Sequence, residues 1–266
     1  MIVKHIENFD LKQIAESGQC FRMNMSDDRT ARLTAYGKVL DINDRGGGDF
    51  CFSCPEKEFE EIWSSYFDLE TDYGRFISSI DPNDRFLLRA AEVGNGIRIL
   101  RQDPFETLIS FIISQRKNIP AIKASVEKLC KACGEKITSD VYAFPSAKAI
   151  YSLSEKELSE CSLGYRVSYV REAAERVALG QTDLSELNGL SDGELFGELT
   201  SFKGVGKKVA NCVMLFAYHR IAAFPRDVWI GRIEEEYYKG RFPESRYEGY
   251  AGVLQQYMFY AIRNNP

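Results

Sequence analysis

The chain has 266 residues, enough for one large domain or two modest ones, each with a core of its own. Apolar residues make up 44% and charged residues 27%, an ordinary globular balance, and no apolar run approaches the roughly 20 residues that span a bilayer. With 34 basic against 39 acidic side chains the net charge is −5, so a polyanionic partner requires a local basic patch that the total conceals.

Met1-Ile2-Val3-Lys4-His5 carries no apolar export signal. The seven cysteines are too few, and odd in number, for a disulfide scaffold, and fit the reduced thiols of a cytoplasmic protein, nucleoid-associated if bacterial. Ala31 to Ile42 is rich in strand formers, Asp44 to Asp49 is a glycine-rich turn, and Phe50-Cys51-Phe52 reads as the return strand. Helices are expected from Glu56 and from about Tyr73. Farther on, Asp103-Pro104 supplies an N-cap and a first-turn proline for a helix carrying Phe105, Leu108, Ile109, Ile112 and Ile113. Ile122, Val126, Leu129 and Cys133 form the apolar stripe of the next. Ser154-x-x-Glu157 and Ser191-x-x-Glu194 have capping-box spacing. A last amphipathic helix follows Pro243, with Tyr247, Tyr250, Leu254, Tyr257, Met258 and Ala261 on one face. The fold class is therefore α+β: a small antiparallel β-rich N-terminal domain with flanking helices over residues 1–100, then a larger all-helical body over 101–266. Cys51-x-x-Cys54 and Cys130-x-x-Cys133 have metal-like spacing. With only His5 and His219 to complete a ligand set, and the second pair absorbed in a helix stripe, no metal is expected.

The stretch Leu199 to Ile233 carries the chemistry. A capped helix from about Asp192 reaches Phe202, Gly204-Val205-Gly206 makes a tight hairpin, and a second helix starts near Lys207. This helix-hairpin-helix, over about 192–219, leaves the first-turn N–H groups of the second helix open to a phosphate oxygen. Lys203 and Lys207 supply the local positive charge. Val205 plugs the gap between the helices. An amine attacks only when neutral, and a helix N-terminus flanked by two lysines disfavours a further cation at Lys208. Downstream, Pro225-Arg226-Asp227 places a carboxylate at a loop-to-helix boundary. Taken alone, such an Asp is an N-cap.

Leu199 to Cys212 followed by Pro225-Arg226-Asp227 resembles the helix-hairpin-helix Gly/Pro-Asp signature of a large DNA glycosylase superfamily. The resemblance to its 8-oxoguanine DNA glycosylase/AP lyase branch extends over most of the chain. It includes Ser17 to Arg22, Phe111 to Ile119, Leu163 to Arg166, and Gln255 to Phe259. What it implies is a bifunctional enzyme of base excision repair that binds double-stranded DNA containing oxidised guanine, as a monomer and without a cofactor. Lys208 and Asp227 would be catalytic. Gly18, Cys212, Phe216, Gln255 and Phe259 would hold the flipped base: Cys212 and Phe259 on its two faces, the Gln255 amide on its Watson–Crick edge, and the Gly18 carbonyl on the N7–H that marks the lesion. Arg116, Asn118, Tyr165, Arg166, Lys203, Gly204, Gly206, Lys207 and Trp229 would contact DNA, Tyr165 and Arg166 by wedging into the duplex beside the orphaned cytosine. Read without the resemblance, Cys212 is a core thiol, Gln255 a solvated amide beside a core Phe259, and Tyr165-Arg166 a surface turn.

The pattern departs from the family at four places. Arg116 stands where an asparagine is usual, and Ala121 where the animal enzymes have an arginine that reads the opposite cytosine; both point to relaxed opposite-base selectivity. Trp229 replaces a phosphate-contacting histidine, and Arg226 an apolar residue. No cysteine follows Cys212, which excludes the iron–sulfur cluster of the sister branch. A glycosylase for alkylated bases, using water, would need no lysine at 208. A helix-hairpin-helix module that only binds DNA would need neither Lys208 nor Asp227.

Overall fold

The computed structural model describes residues 1–264; positions 265 and 266, included in the expected helical body, lie outside the described residues. Five strands form one antiparallel sheet in the order β1-β5-β4-β3-β2: β1 Ile2–His5, β2 Met23–Met25, β3 Thr30–Ala35, β4 Lys38–Gly46 and β5 Asp49–Phe52. The run read as one strand-rich stretch, Ala31 to Ile42, is two strands. Tyr36 and Gly37, at φ +51° and +71°, make the two-residue hairpin turn between them. β1 and β2 are short edge strands with little pattern of their own, and pairing with β5 and β3 is what defines them.

The helices that position the site are α1 Leu11–Glu16, α2 Tyr73–Ser78, α3 Arg85–Gly94, α4 Pro104–Ser114, α5 Ile119–Cys133, α6 Val167–Ala178, α7 Asp192–Thr200, α8 Lys207–Phe216, α9 Val228–Tyr237 and α10 Ala251–Asn264; further helical segments include the one expected from Glu56, which is π-helical over Phe59–Trp63, and Ala147–Tyr151 and Glu155–Glu160. Asp103 caps α4 through the Glu106 N–H at 2.8 Å, with Pro104 in the first turn. Ser154 and Ser191 both make complete capping boxes with Glu157 and Glu194. α10 begins eight residues after Pro243, behind a short 3-10 turn at Glu244–Tyr247. It is not amphipathic over its first two turns: every side chain from Ala251 to Met258 is buried, because the helix threads the centre of the body.

Two cores result. Ile14, Leu33, Leu40, Ile42, Phe52, Trp63 and Phe67 fill the smaller one, under the sheet. The larger one holds Ile109, Ile112, Leu129, Leu199, Val213, Leu254 and Tyr257, and α2 and α3 belong to it although they precede residue 100. The seam between them is polar. Asp68, only 2% exposed, accepts from Arg101 Nη2 at 2.8 Å and from the Tyr73 hydroxyl at 2.9 Å, and lies 3.1 Å from His219 Nε2. Burial alone would raise this carboxyl, but the His219 and Arg101 contacts outweigh it and hold Asp68 down at about 2.

A carboxyl depressed on folding stabilises the fold above its ordinary value near 3.9 and loses that contribution as pH falls toward 2. Asp68→Asn should therefore cost about 3 kcal/mol at pH 7, at the lower end for a broken buried ion pair because Arg101 reaches solvent. Urea unfolding as a function of pH checks this: the gap between wild type and variant should close between pH 4 and 2.

Candidate active site

The helix-hairpin-helix forms from α7 and α8. Gly204 has φ +80°, and a Cβ there would stand 2.3 Å from the Tyr169 ring, so both conformation and space demand glycine. Gly206 makes no such demand. It is an ordinary extended N-cap at φ −93° with open space around it, and no side chain caps α8. Val205 is buried between the helices, its N–H donating to the Phe202 carbonyl at 3.0 Å. The first-turn N–H groups of α8 thus face outward with the exposed Lys203 and Lys207 beside them.

Lys208, one residue into α8, turns the other way. Its Nζ stands 5.1 Å from the centroid of the Phe111 ring, which in turn stacks on Phe216 at 5.5 Å and 19°. Asp227 caps α9. Its Oδ1 accepts from Trp229 N at 3.0 Å and Ile230 N at 2.9 Å, while Oδ2 takes no hydrogen bond among the described residues. Arg226 anchors the loop ahead of it, with Nε 3.1 Å from Glu234 Oε1 and Nη2 2.5 Å from Glu244 Oε1. An arginine in place of an apolar residue is thus accommodated by two carboxylates.

One small cavity is lined by Ser17, Gly18, Phe111, Lys208, Cys212, Phe216, Pro225, Asp227, Gln255, Gln256 and Phe259. Both expected catalytic residues and all five expected base-pocket residues meet there, from the Gly18 turn, α8, the α9 cap and α10. Cys212 is 3% exposed; burial pushes its thiol up and Lys208 only partly opposes this, so it packs as a neutral thiol. Gln255 is 2% exposed rather than solvated. The enclosed space is about 30 Å³, room for water but not for a purine. The Phe259 ring closes it: a Cβ at Gly18, whose φ is +77°, would lie 3.2 Å from Phe259 Cε1.

A groove of about 750 Å³ opens beside this cavity and shares Gly18, Phe111, Lys208, Asp227 and Phe259 with it. Arg116, Asn118 and Trp229 line the groove. The Asn118 side chain is occupied as the α5 N-cap, accepting from Ala121 N at 2.9 Å. Arg116 is exposed at φ +53°, and Arg232 lies 5.1 Å over the Trp229 ring. Tyr165 is 52% exposed at a separate turn. Arg166 corrects the sequence expectation of a presented side chain: it is buried, donating to the Leu163 and Gln115 carbonyls with its guanidinium 4.3 Å from the Tyr165 ring. It ties the Tyr165 turn to the Arg116 loop.

Phe111, Ser17, Pro225, Gln256 and Arg263 also border the two spaces and were given no role in the sequence reading. The first four lie inside the motif segments quoted there, and Arg263 reaches the groove only because packing brings the end of α10 to it.

Residues 1–108 match the model of the 8-oxoguanine DNA glycosylase N-terminal domain, and 109–241 that of the HhH-GPD superfamily of base excision DNA repair proteins. A crystal structure of the Clostridium acetobutylicum 8-oxoguanine glycosylase/lyase, in complex with double-stranded DNA containing cytosine opposite 8-oxoG, superposes with TM-score 0.93 at 36% identity, over 99% of this chain and 95% of that one. This chain belongs to the 8-oxoguanine DNA glycosylase family. Curated relatives include the N-glycosylase/DNA lyase of Arabidopsis thaliana, 27% identical over 92% of this chain and 75% of the relative. The N-glycosylase/DNA lyase of Saccharomyces cerevisiae is 33% identical over 65% of this chain, which spans 50% of that relative's length.

Within the family frame the hairpin is the part most exposed to a single change. Gly204→Ala should cost about 1–2 kcal/mol from the left-handed conformation alone, and more from displacing Tyr169. Fluorescence anisotropy with duplex DNA should show weaker binding, and thermal melting a lower Tm, whereas Gly206→Ala should leave the Tm nearly unchanged.

Proposed function

We propose that this protein is a bifunctional DNA glycosylase/AP lyase that removes 8-oxoguanine from duplex DNA and then nicks the strand. The observation that supports it is the convergence of Lys208, Asp227, Cys212, Phe216, Gln255, Phe259 and Gly18 on one cavity at the edge of a groove. A base reaches such a cavity only by leaving the helical stack. The hairpin lysines and the α8 N–H groups hold the backbone, and the groove past Arg116 and Trp229 takes the strand. Cys212 and Phe259 then flank the base, and Gln255 reads its edge.

The neutral amine of Lys208 attacks C1′ of the sugar, and the glycosidic electron pair leaves with the base. Positive charge develops on the sugar as that bond breaks, and the uncapped Asp227 Oδ2 stabilises it electrostatically. One amine proton neutralises the departing base, O4′ takes a proton from solvent as the sugar ring opens, and a protonated Schiff base between Lys208 and C1′ results. The positive charge of that iminium acidifies the C2′ proton, and its removal expels the 3′ phosphate by β-elimination. Every group the reaction uses comes from one chain, which supports a monomer. A DNA substrate and seven free thiols support the compartment that houses the genome, the cytoplasm with its nucleoid in a bacterium.

With a duplex holding one 8-oxoguanine opposite cytosine, borohydride should trap a covalent protein–DNA adduct on a denaturing gel. Lys208→Gln should abolish it and Lys207→Gln retain it; Asp227→Asn should slow base release by roughly 10²-fold or more. No adduct and no base release from wild type would refute the function. A second expectation concerns the partner base. Arg116 is exposed on the groove and Ala121 has no side chain to read cytosine, so single-turnover rates opposite the four bases should fall within about tenfold. Cleavage confined to pairs with cytosine would overturn that expectation.

A further inference from the structure

α10 brings two consecutive glutamines to the base cavity. Neighbouring positions on a helix point about 100° apart, so Gln255 and Gln256 do not share a face, yet both line the cavity. They do so because the amides touch: Gln256 Nε2 donates to Gln255 Oε1 at 3.0 Å. Gln256 is 4% exposed, set among the buried Val253, Leu254, Tyr257 and Met258. Its own Oε1 is buried without a hydrogen-bond partner among the described residues. The other side chains that carry such an orphaned buried atom are Arg22, Arg166, His219, Arg220 and Tyr257, and none of them borders the cavity. A buried amide oxygen left unpaired costs free energy that an apolar residue of similar size would avoid. Such an acceptor calls for a partner, and one that borders a binding cavity can find it in a donor that arrives with the ligand.

We propose that Gln256 is a second reader of the base, its Oε1 accepting a hydrogen bond from the exocyclic 2-amino group of the flipped 8-oxoguanine. The inference rests on the function proposed above and deepens it by naming which edge donor the second glutamine takes. The chemistry selects that donor. On the Watson–Crick edge of guanine, O6 is an acceptor, while N1–H and the 2-amino group are the donors. Gln255 Oε1, already taking the Gln256 amide, keeps one lone pair and suits N1–H. Gln256 Oε1, with both lone pairs free, is left for the amino group. The amide–amide hydrogen bond also couples the two side chains: one amide turned over alone loses the contact, so Gln255 and Gln256 reorient only together.

The test compares two substrates that differ in this donor alone, duplexes carrying 8-oxoguanine or 8-oxohypoxanthine opposite cytosine, in single-turnover base release by wild type, Gln256→Ala and Gln256→Glu. Wild type should favour 8-oxoguanine by about tenfold or more, the value of one buried hydrogen bond and its orphaned acceptor. Gln256→Ala should collapse that preference toward unity: release of both substrates slows as Gln255 loses its partner, but release of 8-oxoguanine slows by about tenfold more. Gln256→Glu keeps the acceptor and loses the donor to Gln255, and should retain most of the preference. Equal slowing of both substrates in Gln256→Ala means a packing role and overturns the proposal, as does a wild-type enzyme indifferent to the 2-amino group. Absence of release from 8-oxoguanine by wild type is a different outcome, since it removes the glycosylase reading itself.

Discussion

Arg98 is 3% exposed, and its guanidinium donates to five backbone carbonyls, those of Phe67, Glu7, Asn8, Asp68 and Thr71. Its five N–H groups are thereby used in full, and its plane stacks 4.3 Å over the Tyr73 ring. A buried cation is tolerable only when satisfied in this way, and satisfying it fixes three segments of chain at once. The residues that follow extend the same seam. Leu100 N donates to Gln19 Oε1 at 2.9 Å, Gln102 Nε2 to the Gln19 carbonyl at 2.8 Å, and Gln102 N to the Phe216 carbonyl at 2.9 Å. One extended strip thus spans the Gly18 turn on the sheet side and the end of α8 on the helical side. The geometry of the base cavity depends on this strip, since Gly18 and Cys212 come from units with separate cores.

Shape and electrostatics of the site divide along the same seam. α8 supplies the amine, the buried thiol and the Phe216 ring from a single helix, so their spacing is set by helical geometry alone. α10 supplies two amides and a ring to the cavity wall, and its burial on every side up to Met258 leaves the amides few alternatives. Phe259, at the point where the helix emerges, is half-buried and lies against Gly18 at the wall of the cavity. Admission of a purine therefore requires this space of about 30 Å³ to widen. The binding free energy of the base, gained by stacking and edge hydrogen bonds, has to offset that rearrangement as well as the loss of stacking in the duplex.

Some of this was legible before any coordinates. The capping boxes, Asp103-Pro104 and the Gly204-Val205-Gly206 hairpin are local signals, decided by hydrogen bonds and backbone sterics within a few residues, and each appears where its spacing put it. Lys208, Cys212 and Asp227 follow from that local frame. The edge strands β1 and β2, the Tyr36-Gly37 turn and the start of α10 were not legible, because pairing and burial rather than intrinsic pattern define them. Arg166 shows the same limit at the level of one side chain. A Tyr-Arg pair in a polar loop reads as exposed, but two carbonyls left over at Leu163 and Gln115 draw the guanidinium inward.

The sequence by itself determined the α+β order of elements, the helix-hairpin-helix and the capping position of Asp227, because these depend on contacts between residues close in the chain; the roles of Lys208 and Asp227 came from the family resemblance. Tertiary structure alone decided that Gln256 joins Gln255 at the cavity, that Asp68 gathers Arg101, Tyr73 and His219, and that Phe259 rests on Gly18. Those contacts join residues as far apart as 241 positions, or place neighbours together against helical periodicity. No local propensity encodes them; they exist because packing two cores across a polar seam brings these groups within reach of one another.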